Sequence, residues 1–247
     1  MKIDAEFIKK NNERILSAFS FQERMIQQRC FAKKEEPKGK AVEGEIKLSA
    51  DEGRFLMCVT TYLYKKTITE IYHEVGFSAC KGTRISKKLE KDLLIKIIEI
   101  AKGKGVSKYP VLLEDAYKTL NIEEGKFEGK GCGYEHLIWQ HILSEHFKEY
   151  KAGIELNRGD KCIDVGFEYE GKLVAIEVAM TSAHEKANIE KDIGMAKAGL
   201  VVIGCKDAKV LDEVNAIIKE MSEEVRLMVK TFMLSRVLSM GIEEICK

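Results

Sequence analysis

This 247-residue sequence has few prolines and histidines and no long apolar run. Two prolines and 45% hydrophobic residues against 33% charged exclude disorder across the whole chain, and supply enough apolar material for one large domain or two small ones. No run of about 18 uncharged apolar residues occurs. The opening MKIDAEFIKKNNER is charged from its second residue, unlike a cleavable signal peptide. The expectation is a soluble, cytoplasmic protein with no membrane partner. Seven cysteines are an odd number and include no C-x-x-C pair, so zinc-finger and redox spacings are missing and buried free thiols are expected. Of five histidines, His136, His141 and His146 recur at five-residue steps, which turn them to different faces of one helix rather than onto one metal.

The formal charge of +1 hides an uneven distribution. Residues 1–46 hold 10 Lys and Arg against 8 Asp and Glu; residues 47–120 hold 14 against 9; residues 121–247 hold 17 against 23. A basic middle and an acidic C-terminal half suggest two domains with different partners, nucleic acid being the obvious one for the basic part. Residues 1–46 read as a helical extension and linker, ending in a charged tract around Pro37 and Gly39.

From Leu48 the pattern changes. Ser49 with Glu52 forms a capping-box signature, after which Phe55, Leu56, Val59 and Leu63 make one apolar face. Residues 67–75 predict a short second helix, Gly76 a stop and Ser78 a new start. A third helix over residues 79–94 turns Ile85, Leu89 and Leu93 inward. Its basic residues Lys81, Arg84, Lys87 and Lys88 face outward or sideways. Two apolar runs around Lys102-Gly-Lys104-Gly predict a hairpin, with Lys102 and Lys104 at its tip. Three helices and a hairpin describe a winged helix-turn-helix over residues 47–120, and the six basic residues named make double-stranded DNA its expected partner. A protein-interaction role for the same module is the competing reading.

Residues 121–133, NIEEGKFEGKGCG, read as a linker or loop into a third region, 121–247. There the order is a helix (134–150), three strands (153–156, 162–169, 172–179), a helix (185–198), a buried strand (200–203), a helix (210–221) and a largely helical tail (223–246). The tail's apolar residues, Leu227 to Leu238, suit either a homodimer interface or a cover for the sheet. The whole chain is therefore expected to be α/β (α+β).

Two acids interrupt strands that otherwise demand apolar residues: Asp164 in Cys-Ile-Asp-Val and Glu177 in Ala-Ile-Glu-Val. A hairpin turning at Glu170-Gly171 sets the two opposite each other, about 5 Å apart. Two carboxylates that close repel unless a cation joins them.

The αβββαβ order, with Glu135 opening its first helix, Asp164 in the second strand and Glu177-Val-Ala179 in the third, resembles the PD-(D/E)XK nuclease superfamily over roughly residues 130–221. That resemblance implies a restriction-endonuclease-like core and metal-dependent endonucleolytic hydrolysis of DNA. Mg²⁺ or Mn²⁺ would be held by Asp164, Glu177 and Glu135. Ala179 stands where the motif has Lys. Some members carry that lysine on the following helix, which makes Lys191 the candidate and Lys197 a weaker one. His136, His184 and Gln140 lie near these residues without an assigned catalytic role. An inactive nuclease-like regulator or accessory subunit is the alternative. The combination also resembles the C-terminal part of some archaeal and mobile-element DNA-pumping ATPases. No G-x-x-x-x-G-K-[ST] motif is present, so any ATPase would be a separate partner.

Overall fold

Helix α1 (Ala50–Thr61) begins where the capping box places it: Ser49 N–H donates to Glu52 Oε2 at 2.8 Å and Glu52 N–H to Ser49 Oγ at 3.3 Å. Helix α2 (Ile68–Glu74) is started in the same way by Thr67 and Glu70, and ends at Gly76, whose φ of +69° is the left-handed turn that favours glycine. Ser78 then caps helix α3 (Ala79–Lys91). Gly82 lets α3 lie directly on Tyr72. A Cβ there would come within 2.4–2.7 Å of the ring, and the contact is fastened by Tyr72 Oη and Ser86 Oγ at 2.7 Å. Strands β1 (Ile95–Ala101) and β2 (Val106–Leu112) pair antiparallel as the wing, and helix α4 (Glu114–Leu120) follows. This is a winged helix-turn-helix.

The computed structural model describes residues 47–103, 105–122, 133–158 and 161–246. The expected N-terminal helices and linker, wing-tip Lys104, most of the glycine-rich segment and Gly159-Asp160 lie outside the described residues. Among the described residues no helix is long and apolar enough to cross a membrane.

The second half consists of helix α5 (Tyr134–His146), a 3₁₀ turn (Lys148–Tyr150), strands β3 (Gly153–Arg158), β4 (Lys161–Tyr169) and β5 (Lys172–Ala179), helix α6 (Glu185–Gly194), strand β6 (Leu200–Cys205) and helix α7 (Ala208–Lys219). The expected αβββαβ order is thus present. The sheet order is β3-β4-β5-β6-β7, antiparallel up to β5 and parallel beyond it.

Strand β7 (Val229–Met233) corrects the expectation of a largely helical tail. After the short helix α8 (Glu223–Met228) the chain adds a fifth strand beside β6, and then forms helices α9 (Leu234–Val237) and α10 (Ile242–Cys246). The sheet's open edge needed a partner for its backbone groups, and Val-Lys-Thr-Phe-Met, rich in β-branched and aromatic residues, suits a strand. Val229, Leu234 and Val237 are consequently buried within the fold, while Leu227 is exposed.

Helix α5 and the C-terminal helices cover one face of the sheet, with Ile138, Leu143 and Phe147 against Val165, Phe167 and Ile176. Helices α6 and α7 cover the other, with Ile189, Val210 and Val214 against Ala175, Val201 and Ile203. The winged-helix half shares the first of these cores: Tyr64 at the end of α1 stacks on His141 of α5, ring centroids 6.2 Å apart, and approaches Tyr134.

Candidate functional site

The hairpin β4–β5 turns through Glu170-Gly171, both at positive φ, and keeps the register predicted from that turn, Val165 facing Ile176. At Asp164 the regular pairing stops on both sides. Leu156 faces Ile163 and Ile154 faces Val165, but the intervening Glu155 sits at φ +48°. Alternation also breaks here: Ile163 packs toward α6 and α7, whereas Val165 and Phe167 pack toward α5. A non-glycine residue in the left-handed region costs about 1–2 kcal/mol, and such irregularities concentrate at functional sites. The break lets the Asp164 and Glu177 side chains complete the ladder themselves. Val178 N–H donates to Asp164 Oδ2 at 2.8 Å, and Asp164 N–H points at Glu177 Oε1, 3.4 Å away.

Helices from both faces close around this pair. From α5, Gln140 Nε2 donates to Asp164 Oδ1 at 3.0 Å and His136 Nε2 lies 2.9 Å from Oδ2, donating because an ionised carboxylate only accepts. From α6, Lys191 Nζ donates to Glu177 Oε1 at 3.2 Å and to the Cys162 carbonyl at 2.8 Å. Asp192 Oδ1 is 3.3 Å from the same ammonium, an ion pair too poorly directed to be a hydrogen bond. Glu185, the first residue of α6, is 5% exposed, and its Oε2 has no hydrogen-bond partner.

These environments drive the carboxyl groups apart in acidity. Burial raises the Asp164 carboxyl, but hydrogen bonds from His136, Val178 N–H and Gln140 outweigh it and hold the group below the usual carboxylate range. Glu177 goes well above that range, first through burial, then through the charges of Asp164 and Asp192, with Lys191 opposing. Asp192 is raised by burial despite Lys191. Burial, then Asp164, pushes Glu185 to about 7. Burial lowers Lys191, but Glu177 and Asp192 outweigh it and keep the ammonium charged.

Asp164, Glu177 and Lys191 are therefore brought together. Glu135 is not: residues four apart share a helix face, so His136 and Gln140 both reach Asp164 while Glu135, one residue earlier, is turned about 100° away. Lys197 is exposed beyond the end of α6, and His184 is exposed before its start. Glu185 and Asp192 escaped the sequence reading. Their signal is the spacing Glu185, Ile189, Asp192, the i, i+4, i+7 inward face of α6. The three five-spaced histidines do diverge, to Asp164, to Tyr64 and to the Met240 carbonyl.

The donor set suits a hard divalent cation. Three carboxylates, Asp164, Glu177 and Asp192, meet one ammonium and one imidazole, and buried oxygens of Glu185 and Asp192 have no hydrogen-bond partner. Among the described residues no three His, Cys, Asp or Glu side chains already converge on one point as a metal cage. Beside the cluster lies a cavity of about 340 Å³, whose lining includes Tyr64, Gln140, His141 and Ile154.

On the winged helix, Arg84 and Lys87 are exposed along α3. Lys88 is tied to the buried Glu52 of the capping box at 2.5 Å, and Lys81 to Asp51 at 2.7 Å while lying over the Phe77 ring. Lys102 folds back onto the Tyr109 ring and hydroxyl.

No protein-family model and no curated protein sequence matches the chain. Among solved structures, the C30S mutant of ZitR of Lactococcus lactis is 24% identical over 42% of this chain and 70% of its own, with a TM-score of 0.28. Wild-type ZitR in complex with DNA is 24% identical over 43% and 70%, with a TM-score of 0.27. The zinc-dependent MarR family transcriptional regulator AdcR, in its Zn(II)-bound state, is 17% identical over 56% and 82%, with a TM-score of 0.26. Likenesses this remote carry no argument about function.

Proposed function

We propose that this protein is a metal-dependent endonuclease of the PD-(D/E)XK type that engages double-stranded DNA through its winged helix. The observation that carries the reading is the convergence of Asp164, Glu177 and Lys191 at one end of the sheet, the lysine arriving from α6 rather than from position 179. Asp164 and Glu177 would hold Mg²⁺ or Mn²⁺, which when bound supplies Lewis acidity at the scissile phosphate. Asp164, locked by three donors, stays ionised and fixed in direction. Lys191 presents a charged ammonium for negative charge building on the phosphate. Arg84 and Lys87 supply phosphate contacts that position the duplex, which an acidic half of the chain would otherwise repel.

Supercoiled plasmid incubated with Mg²⁺ and with Mn²⁺ should be nicked or linearised, and Asp164→Ala or Glu177→Ala should abolish this. Cleavage retained in both variants would refute the reading. A second reading is a DNA-binding regulator without cleavage. It is favoured by Lys191, whose ammonium already lies against both Glu177 and Asp192 and offsets one of their two charges with no added cation. Duplex binding by a protein that never cuts would establish it instead.

A further inference from the structure

Resting on the nuclease reading, we propose that the cavity beside Asp164 receives one unstacked nucleobase of the DNA, so that the preferred substrate carries an unpaired nucleotide next to the phosphate that is cut. The cavity and the acidic pair share a wall. Gln140 lines the cavity and donates from Nε2 to Asp164 Oδ1 at 3.0 Å, and Glu155 of β3, which falls opposite Asp164, lines it too. Whatever fills the cavity therefore lies one side chain away from Asp164. Thr61 at the end of α1, followed by Tyr64 and Lys65, brings the winged-helix half to the same space. A volume of about 340 Å³ stands at the lower end of the range for small-ligand sites, about 300–1,000 Å³, which is room for a base with its sugar and too little for a duplex.

The lining fits that occupant. The Tyr64 and His141 rings stand with centroids 6.2 Å apart and 24° between their planes, an aromatic pair on which a base stacks whatever its identity. Burial, then the Lys65 charge, lowers His141 to about 4, so at neutral pH its ring is uncharged. Lys65 itself is exposed, a cation for the phosphates that flank the base. Tyr64 and Glu155 are held at φ +63° and +48°, two non-glycine residues in the left-handed region that line the one cavity, and irregularities of this kind concentrate at ligand clamps. Extruding a base costs least where it is already unpaired, which selects bulged or mismatched DNA over a continuous duplex.

The test is fluorescence anisotropy with the full chain in EDTA on three duplexes of one sequence: fully paired, carrying a one-nucleotide bulge, and carrying the same bulge without its base. A melt of each variant and its affinity for the paired duplex report on folding and on the winged helix. The wild type should bind the bulge at least about tenfold more tightly than either of the other duplexes. Thr61→Phe, which fills the cavity from an exposed position on α1, and His141→Ala, which removes half of the aromatic pair, should abolish that preference and keep the affinity for paired DNA. His141→Phe, which restores a ring, should retain the preference. In Mn²⁺ the wild type should cut beside the bulged nucleotide. Equal affinity for the bulge with and without its base, or a preference that survives in both Thr61→Phe and His141→Ala, would overturn the inference, and cleavage of any of the duplexes would leave the nuclease reading standing. A preference for the base with no cleavage of any duplex would overturn the nuclease reading, and with it the placement of the base beside a cut phosphate.

Discussion

Replacing Lys191 by methionine removes the ammonium while keeping an unbranched side chain of similar length. The three groups of this ion cluster are well shielded: the Lys191 side chain is 13% exposed, Glu177 4% and Asp192 0%. Breaking a buried pair by deleting one partner costs about 3–5 kcal/mol, because the surviving charge loses its compensation. Here two carboxylates survive. Both are already raised above the usual range and rise further without the lysine. A carboxyl whose folded-state acidity is weakened penalises the fold when it is ionised, and the penalty fades as pH falls and the proton returns. Each pH unit over which one such group takes up its proton relieves up to about 1.4 kcal/mol. Urea unfolding at pH 8 should therefore show Lys191→Met destabilised by about 3–5 kcal/mol, and at pH 5 by clearly less. A loss below about 1 kcal/mol at pH 8, the range of an exposed ion pair, would refute the buried cluster. So would a loss that does not change with pH.

Other expectations follow from the same geometry. Gly82→Ala drives a methyl group into the Tyr72 ring, so it should cost about 1–3 kcal/mol in a melt and weaken duplex binding by displacing α3. Arg84→Ala with Lys87→Ala should lower duplex affinity in an anisotropy titration and reduce the log–log salt slope by about 2. Lys102→Ala, whose ammonium is folded onto Tyr109, should change that slope less. Glu185 sits near 7 when folded against an ordinary value of 4.5, so the folded chain binds a proton the unfolded one lacks between those limits. Metal-free wild type should accordingly gain stability as pH falls from 8 towards 5, and Glu185→Gln should flatten that dependence.

Much of the fold was legible because local chemistry and tertiary context agree. Ser49 and Glu52, three residues apart, start α1 as their side chains dictate, and Glu170-Gly171 sets the register that aligns β4 with β5. Lys191 was named through the resemblance, whose motif lysine can stand on the following helix, and it reaches Glu177. What could not be read was whatever depends on a neighbour distant in sequence. Strand β7 exists because β6 offers it an edge, and five residues carry too weak a period to announce that. The break at Asp164 falls opposite Glu155, a residue of another strand held at positive φ. Glu135 follows a motif, yet one residue along a helix is 100° of direction, and the contact passes to His136. Glu185 and Asp192 resembled a solvated helix because the sheet that buries them is assembled from elsewhere in the chain.

The central claim is that Asp164, Glu177 and Lys191 form one hydrolytic site. Its most direct test is the rate at which purified protein nicks supercoiled DNA in Mn²⁺, wild type beside Lys191→Ala, with both shown to be folded and to bind duplex equally. Cleavage by the wild type that falls by about a hundredfold or more in the variant is the predicted result. Equal rates, or no cleavage by a wild type that binds DNA, would contradict it.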